Sequence, residues 1–391
     1  MSKWKVVKLD DICVNNIQTI SSKDDFDIVY VDISSIDNKE KKIVSYQILN
    51  SKEAPSRAKQ ILNKNDILVS TVRPNLNAVA INQIESEKVV VGSTGYCVLR
   101  YSSEVDVDVD YIFNFCKSKT FINGLVKVAK GASYPAVSNS EVKNSKIPLP
   151  PLETQQQIAK TLDTAAELLA MRKQQLAELD NLIKSTFYDM FGDPVANEKG
   201  WEVFRLGDCL SVIGGYAFKS TDFSDEGIPV IKIGNINSGL FHSNGISFWT
   251  YDKKLDKYLL HPNDIVISLT GTVGKDDYAN VCILPDKYPD YYLNQRNAKL
   301  ELNENINVYY LLYILKDTKI KGQLTGISRG IRQANISNAD ILALNIPLPT
   351  VKLQNQFAEI VTKIEEQKAL VKKAIDETQY LFDSLMSEYF E

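Results

Sequence analysis

Side chains able to do chemistry are sparse in this 391-residue sequence. With only two histidines, His242 and His261, it offers little for His-based acid/base, nucleophilic or zinc catalysis. A metal-dependent nuclease needs carboxylates and a lysine around a divalent ion, and Asp286 with Asp317-Thr-Lys319 loosely fits that pattern. The run Gly271-Thr-Val-Gly274 follows a strand-like segment, as a phosphate cradle would, but Asp276 and Asp277 come next and no GxxxxGK[ST] occurs, so it reads as a turn. Nor is there a D/N-P-P-F/Y tetrapeptide of the kind an amino-methyltransferase uses. We therefore expect no catalytic residue, no metal ligand and no cofactor in this chain.

What remains is a set of polar loops whose side chains suit base edges and phosphates. Arg and Lys grip guanine or phosphate, Asn and Gln pair with adenine, and Ser, Thr and Tyr hold a nucleic-acid backbone. One loop offers Ser70, Thr71, Arg73, Asn75 and Asn77, and another Lys130, Ser133 and Tyr134. Further along, Thr270, Thr272 and Lys275, then Gln295 and Arg296, then Arg329, Arg332 and Gln333 make similar sets. Against this stands the bland reading that polar loops are merely solvated.

The sets recur because the sequence repeats itself at an offset of 197 to 199 residues. Trp4, Leu9 and Asp11 return as Trp201, Leu206 and Asp208, and Asn65, Asp66, Ile67 and Ser70 as Asn263, Asp264, Ile265 and Ser268. Ser138 and Asn139 return as Ser337 and Asn338, the run Ile147–Pro150 (IPLP) as Ile346–Pro349, and Gln155 and Gln157 as Gln354 and Gln356. Each copy opens with strand-like runs (Ile28–Ile33, Ile67–Thr71, Val89–Val98; Ile265–Leu269). Tyr111–Ala129 and Tyr309–Leu324 read as helices, ahead of capping boxes at Ser138–Glu141 and Ser337–Asp340.

After each IPLP the apolar spacing changes to a heptad. Ile158, Leu162, Leu169, Leu176, Leu179 and Ile183 carry the first stripe, with Gly192 and Pro194 as stops. Phe357, Val361, Ile364, Val371, Ile375, Phe382 and Leu385 carry the second. At 1.5 Å per residue such helices run roughly 50 to 60 Å, and each needs a partner. The expected fold is α+β: two similar mixed α/β domains in pseudo-twofold tandem repeat, with two long antiparallel coiled-coil-like helices between them. Domain boundaries fall at 1–150 and 193–349, with helices over 151–192 and 350–391.

Composition agrees with a folded chain. Hydrophobic residues make up 44% and charged residues 24%, and five scattered cysteines suggest neither disulfides nor zinc. No segment has the length and apolarity of a membrane helix, so a cytoplasmic protein is expected. The net charge of −4 argues against a nucleic-acid binder until it is located. Residues 153–191 carry −2 and residues 351–391 carry −3, which leaves +1 for everything else.

At IPLPPLETQQQIAKTLD (Ile147–Asp163), the long helix after it, and FGDPVANEKGWEVFRLGD (Phe191–Asp208), the sequence resembles the specificity subunit of type I restriction-modification enzymes, over essentially the whole chain. The resemblance implies two target-recognition domains, each reading one half of a split double-stranded DNA site. It implies helices that set the gap and dock two methyltransferase subunits. S-adenosylmethionine, ATP and magnesium would then sit on those partners and on motor-nuclease subunits. A departure is Pro349-Thr-Val-Lys-Leu-Gln354, where the first copy has Pro150-Pro-Leu-Glu-Thr-Gln155, so equivalent docking at the second helix does not follow. Two rivals stay open: a recognition subunit of another methylation-linked defence system, and a self-contained nuclease using Asp286, Asp317 and Lys319.

Overall fold

A computed structural model describes residues 4–21, 23–102, 104–275, 277–326 and 333–391. They form two compact units, residues 1–173 with 373–391 and residues 174–372. The division falls inside each long helix, not at its ends, because both ends of each helix are built into the core of a domain.

In the first unit, Asp27–Val31 runs parallel to Val89–Ser93, and Gln47–Asn50 and Ala58–Ile61 flank them antiparallel. Beside this four-stranded sheet, Ile67–Ser70 lies between Tyr96–Leu99 and Val79–Ile81, both antiparallel to it. Lys5–Lys8 pairs with Lys146–Leu149 and so ties the start of the domain to its IPLP exit. The strand Ile67–Ser70 is apolar almost throughout because both its faces are covered. Ile67 and Val69 point into a core shared with helices, and Leu68 into a second core under the four-stranded sheet, as the two-residue period requires. The segment expected as one strand over Val89–Val98 is two, separated by a turn at Thr94-Gly95.

The second unit repeats the plan. Ile228–Ile231 runs parallel to Tyr291–Leu293, with Ser247–Trp249 and Leu259–Leu260 outside them. Ile265–Ser268 lies between Asn297–Leu302 and Val281–Ile283, and Leu210–Gly214 adds a fourth strand. Val203–Arg205 pairs with Asn345–Pro347. Ile265 and Ile267 again face the helical core while Val266 faces the other.

Each helix expected over about twenty residues is broken in two. Val109–Lys117 and Lys119–Val128 are separated by Ser118, whose extended backbone and side chain cap the second helix at Phe121 N. In the other unit Asp317 does the same between Val308–Lys316 and Thr318–Thr325, accepting from the Lys319 and Ile320 amides at 2.9 and 3.1 Å. Capping boxes form at Ser138–Glu141 and Ser337–Asp340.

The long helices are Leu152–Phe191 and Val351–Phe390. Gly192, at φ +77°, supplies the left-handed step that ends the first. Within the first unit, Ile158 and Leu162 share a core with Met386 and Phe390, while Arg172 donates to the Ala374 carbonyl and the Thr378 hydroxyl. Within the second, Asp180 meets Lys368 at 2.6 Å and Phe187 meets Phe357. Both stretches are therefore antiparallel. Ile183, Phe357, Val361, Ile364 and Val371 are buried, and Leu169, Leu176, Leu179, Ile375, Phe382 and Leu385 are half-buried. Among the described residues no helix is long and apolar enough to cross a membrane.

Candidate nucleic-acid interface

The two polar loops of the first copy meet in space. Arg73 N donates to Pro135 O at 2.7 Å, Val137 N donates to Thr71 O at 2.9 Å, and Val72 bridges Ala136. The result is one composite surface carrying exposed Arg73, Asn75, Lys130, Ser133 and Tyr134. The Arg73 guanidinium lies over the Tyr134 ring, 4.6 Å from its centroid, and that ring is 69% exposed.

Other candidates in the set turn inward. Ser70 and Thr71 are buried, and their hydroxyls donate to Val72 O (3.0 Å) and Gly95 O (2.9 Å). Asn77 is buried too, with a left-handed backbone whose carbonyl accepts from Lys41 Nζ at 2.5 Å. These three hold the loop's shape instead of displaying polar groups, because a strand end packed on both faces leaves its small polar side chains only backbone to bond. Lys41 escaped the sequence reading. No motif marks it, and burial, with Lys117 adding, lowers its ammonium to about 8.

The second copy builds the corresponding surface by another means. Thr270–Thr272 and Gln333–Asn335 form a two-stranded ribbon where the first copy has a single bridge. Thr272 and Lys275 are exposed, whereas Thr270 is buried and joins the framework. Gln295 and Arg296 are exposed on a turn held to this ribbon's base, with Leu269 N donating to Arg296 O at 2.9 Å. The Thr94-Gly95 turn is the same place in the first copy, where Thr71 N donates to Gly95 O at 2.9 Å. The offset of 197 to 199 carries Arg296 onto Cys97–Leu99 in the following strand, so the repeat alone does not find this turn. Arg329 and Arg332 lie outside the described residues, as does the side chain of Gln333.

Of the residues considered for catalysis, Asp286 is exposed in a turn, and Asp317 and Lys319 are engaged elsewhere. Asp317 is the helix cap described above and also accepts from the Tyr188 hydroxyl, while the Lys319 ammonium pairs with Asp193. At Gly271, the Asp277 carboxylate accepts from Thr272 N and Oγ1 at 2.7 and 2.8 Å, so the loop's donors already hold an anion of its own chain. Among the described residues no three His, Cys, Asp or Glu side chains are grouped to hold a metal ion.

A glutamine clamps the start of each long helix to its domain. Gln155 accepts from Asp108 N (3.0 Å) and donates to Asp106 O (3.2 Å) and Pro150 O (2.8 Å). Gln354 repeats this with Asn307 N (2.8 Å), Asn305 O (3.1 Å) and Pro349 O (2.8 Å). At the far ends, Phe390 packs on Tyr111 at 5.3 Å and Phe191 on Tyr310 at 4.9 Å, so each domain is gripped by the end of one helix and the start of the other. Phe187, Phe191, Met386 and Phe390 lie off the heptad stripe and were missed, although the 199-residue offset relates them pairwise.

The chain thus holds two copies of one α+β frame, each carrying a composite polar loop surface and the ends of two long helices. The sequence profile of the type I restriction modification DNA specificity domain matches residues 1–181 and 198–379, and the chain belongs to that family. It is 27% identical over 344 residues to the type I restriction enzyme MjaVIII specificity subunit of Methanocaldococcus jannaschii, covering 84% of this chain and 78% of that protein. With the EcoKI specificity subunit of Escherichia coli K12 it shares 24% over 308 residues, covering 72% and 64%. Among solved structures, a chain from a type I R-M system studied for its complex assembly and conformational transition superposes with TM-score 0.65 at 25% identity, covering 99% and 97%. The type I S subunit from M. genitalium shows the same fold, at TM-score 0.59 and 16% identity, covering 100% and 96%.

Proposed function

We propose that this chain is the DNA-recognition subunit of a type I restriction-modification complex, reading one half of a split site with each domain and docking methyltransferase subunits on its long helices. One observation carries the reading. The same pair of loops is brought together at the same place in both copies, on a framework of buried residues, with different side chains displayed. A constant frame with variable exposed residues is what two readers of different half-sites need. The acidic helices, at −2 and −3, suit protein partners better than DNA. S-adenosylmethionine, ATP and magnesium belong on two methyltransferase subunits and on motor-nuclease subunits, and the assembly works in the cytoplasm, where its DNA is.

In this reading the helices set the spacing of the half-sites. Deleting 169–175 and 372–378 together removes one heptad from each helix, with Arg172 and its acceptors Ala374 and Thr378 leaving as a set. That shortens the helices by about 10 Å, or about three base pairs. The complex should then modify the same half-sites with a spacer about three base pairs shorter; modification at the original spacing would contradict the role given to the helices.

A further inference from the structure

The first domain contains three arginines, Arg57, Arg73 and Arg100, and two of them are spent on its own carboxylates. Arg57 pairs with Asp32 at 3.1 Å. Arg100 makes a fork with both oxygens of Asp66, at 2.8 and 2.7 Å, and donates again to Ile61 O. Among the described residues no carboxylate pairs with Arg73, whose guanidinium meets only the face of Tyr134. Its backbone is left-handed (φ +52°, ψ +60°), a conformation uncommon for a side chain of this size, and is fixed there by the bond to Pro135 O. The 74–76 turn that follows is closed from Arg73 O and Pro74 O, and Lys41 anchors its far end at Asn77.

A phosphate needs only a positive charge within reach, and a flexible side chain supplies that. A base edge needs a fork held in one plane, and stacking a guanidinium on an aromatic ring fixes that plane before the ligand arrives. Resting on the reading of this chain as a split-site recognition subunit, we propose that Arg73, positioned by Tyr134, reads a guanine in the half-site bound by the first domain. The O6 and N7 acceptors of guanine in the major groove match the two parallel N–H donors of the fork. The second copy has no arginine at the matching place, where Thr270–Lys275 stand, so this contact belongs to one half-site only.

The test uses the full chain co-expressed with its methyltransferase subunit, mapping methylated motifs by single-molecule sequencing for the wild type, Arg73→Ala, Arg73→Lys, Tyr134→Phe and Tyr134→Ala. Arg73→Ala and Arg73→Lys should both relax one guanine of one half-site, lowering discrimination there about 5- to 150-fold, the equivalent of one bidentate base contact. Tyr134→Phe keeps the ring face and should keep the motif, while Tyr134→Ala relaxes that same position. The other half-site stays unchanged in all four. A lysine variant that still demands the guanine, a relaxed position that is not guanine, or an unchanged motif throughout would each overturn the proposal. Should Arg73→Ala abolish methylation altogether, the lysine variant decides, since it keeps charge and most of the bulk. A wild-type motif that is not split defeats the recognition reading itself, before any variant is compared.

Discussion

Replacing Gln155 with leucine removes a side chain that is fully buried and makes three hydrogen bonds, to Asp108 N, Asp106 O and Pro150 O. Leucine fills similar space but satisfies none of these groups. Three neutral hydrogen bonds at about 1 kcal/mol each, with a donor and acceptors left unpaired in the interior, give an expected loss of about 2–5 kcal/mol. The loss should be local, because Asp108 is the residue that caps Val109–Lys117 and Pro150 is the exit of the IPLP strand. Native-state hydrogen exchange is the assay, since it resolves the two units where a single melting curve would merge them. Amides of the first unit should lose about 2–5 kcal/mol of protection and those of residues 193–349 less than about 0.5 kcal/mol. Gln354→Leu should produce the mirror result. A loss below about 1 kcal/mol, or an equal loss in both units, would refute the assignment of these glutamines as clamps between helix and domain.

Lys41 should give the first unit a distinct alkaline response. Its folded pKa of about 8 lies below the ordinary 10.5, so the unfolded chain binds the extra proton and the Lys41 contribution to stability rises with pH between about 8 and 10.5. The buried thiols Cys13, Cys97 and Cys116, raised by burial, act in the opposite sense, so the difference between Lys41→Met and the parent in a pH series of denaturant titrations should isolate that rise. Asp317→Ala removes a helix cap and should cost about 1–2 kcal/mol in the second unit. It should leave DNA intact with magnesium in both the variant and the parent chain, and cutting by the parent that the variant loses would restore the nuclease alternative.

The repeat was the most legible feature of the sequence, because residues that set a shared frame are constrained in the same way twice. Gln155 and Gln354, the two IPLP runs and the two capping boxes all stand where the offset placed them. The heptads announced the long helices but concealed how they end, since Phe187, Phe191, Met386 and Phe390 leave the stripe to enter the domains. The breaks at Ser118 and Asp317 were readable as caps, yet an unbroken apolar pattern outweighed a single capping residue. For the loops, residue type pointed to the right segments but could not sort display from support. Ser70, Thr71 and Thr270 have the same chemistry as exposed contacts, and only the packing of two sheet faces shows that they are buried. Lys41 and the stacking of Arg73 on Tyr134 join residues 36 and 61 positions apart, which periodicity does not reach.

The most direct test of the central claim is to map DNA methylation by single-molecule sequencing in a host that expresses this chain with and without its methyltransferase partner. The account predicts a split motif of two half-sites around a fixed gap, carrying N6-methyladenine only when both proteins are present. A continuous motif, or no motif with a partner shown to be active, would contradict it.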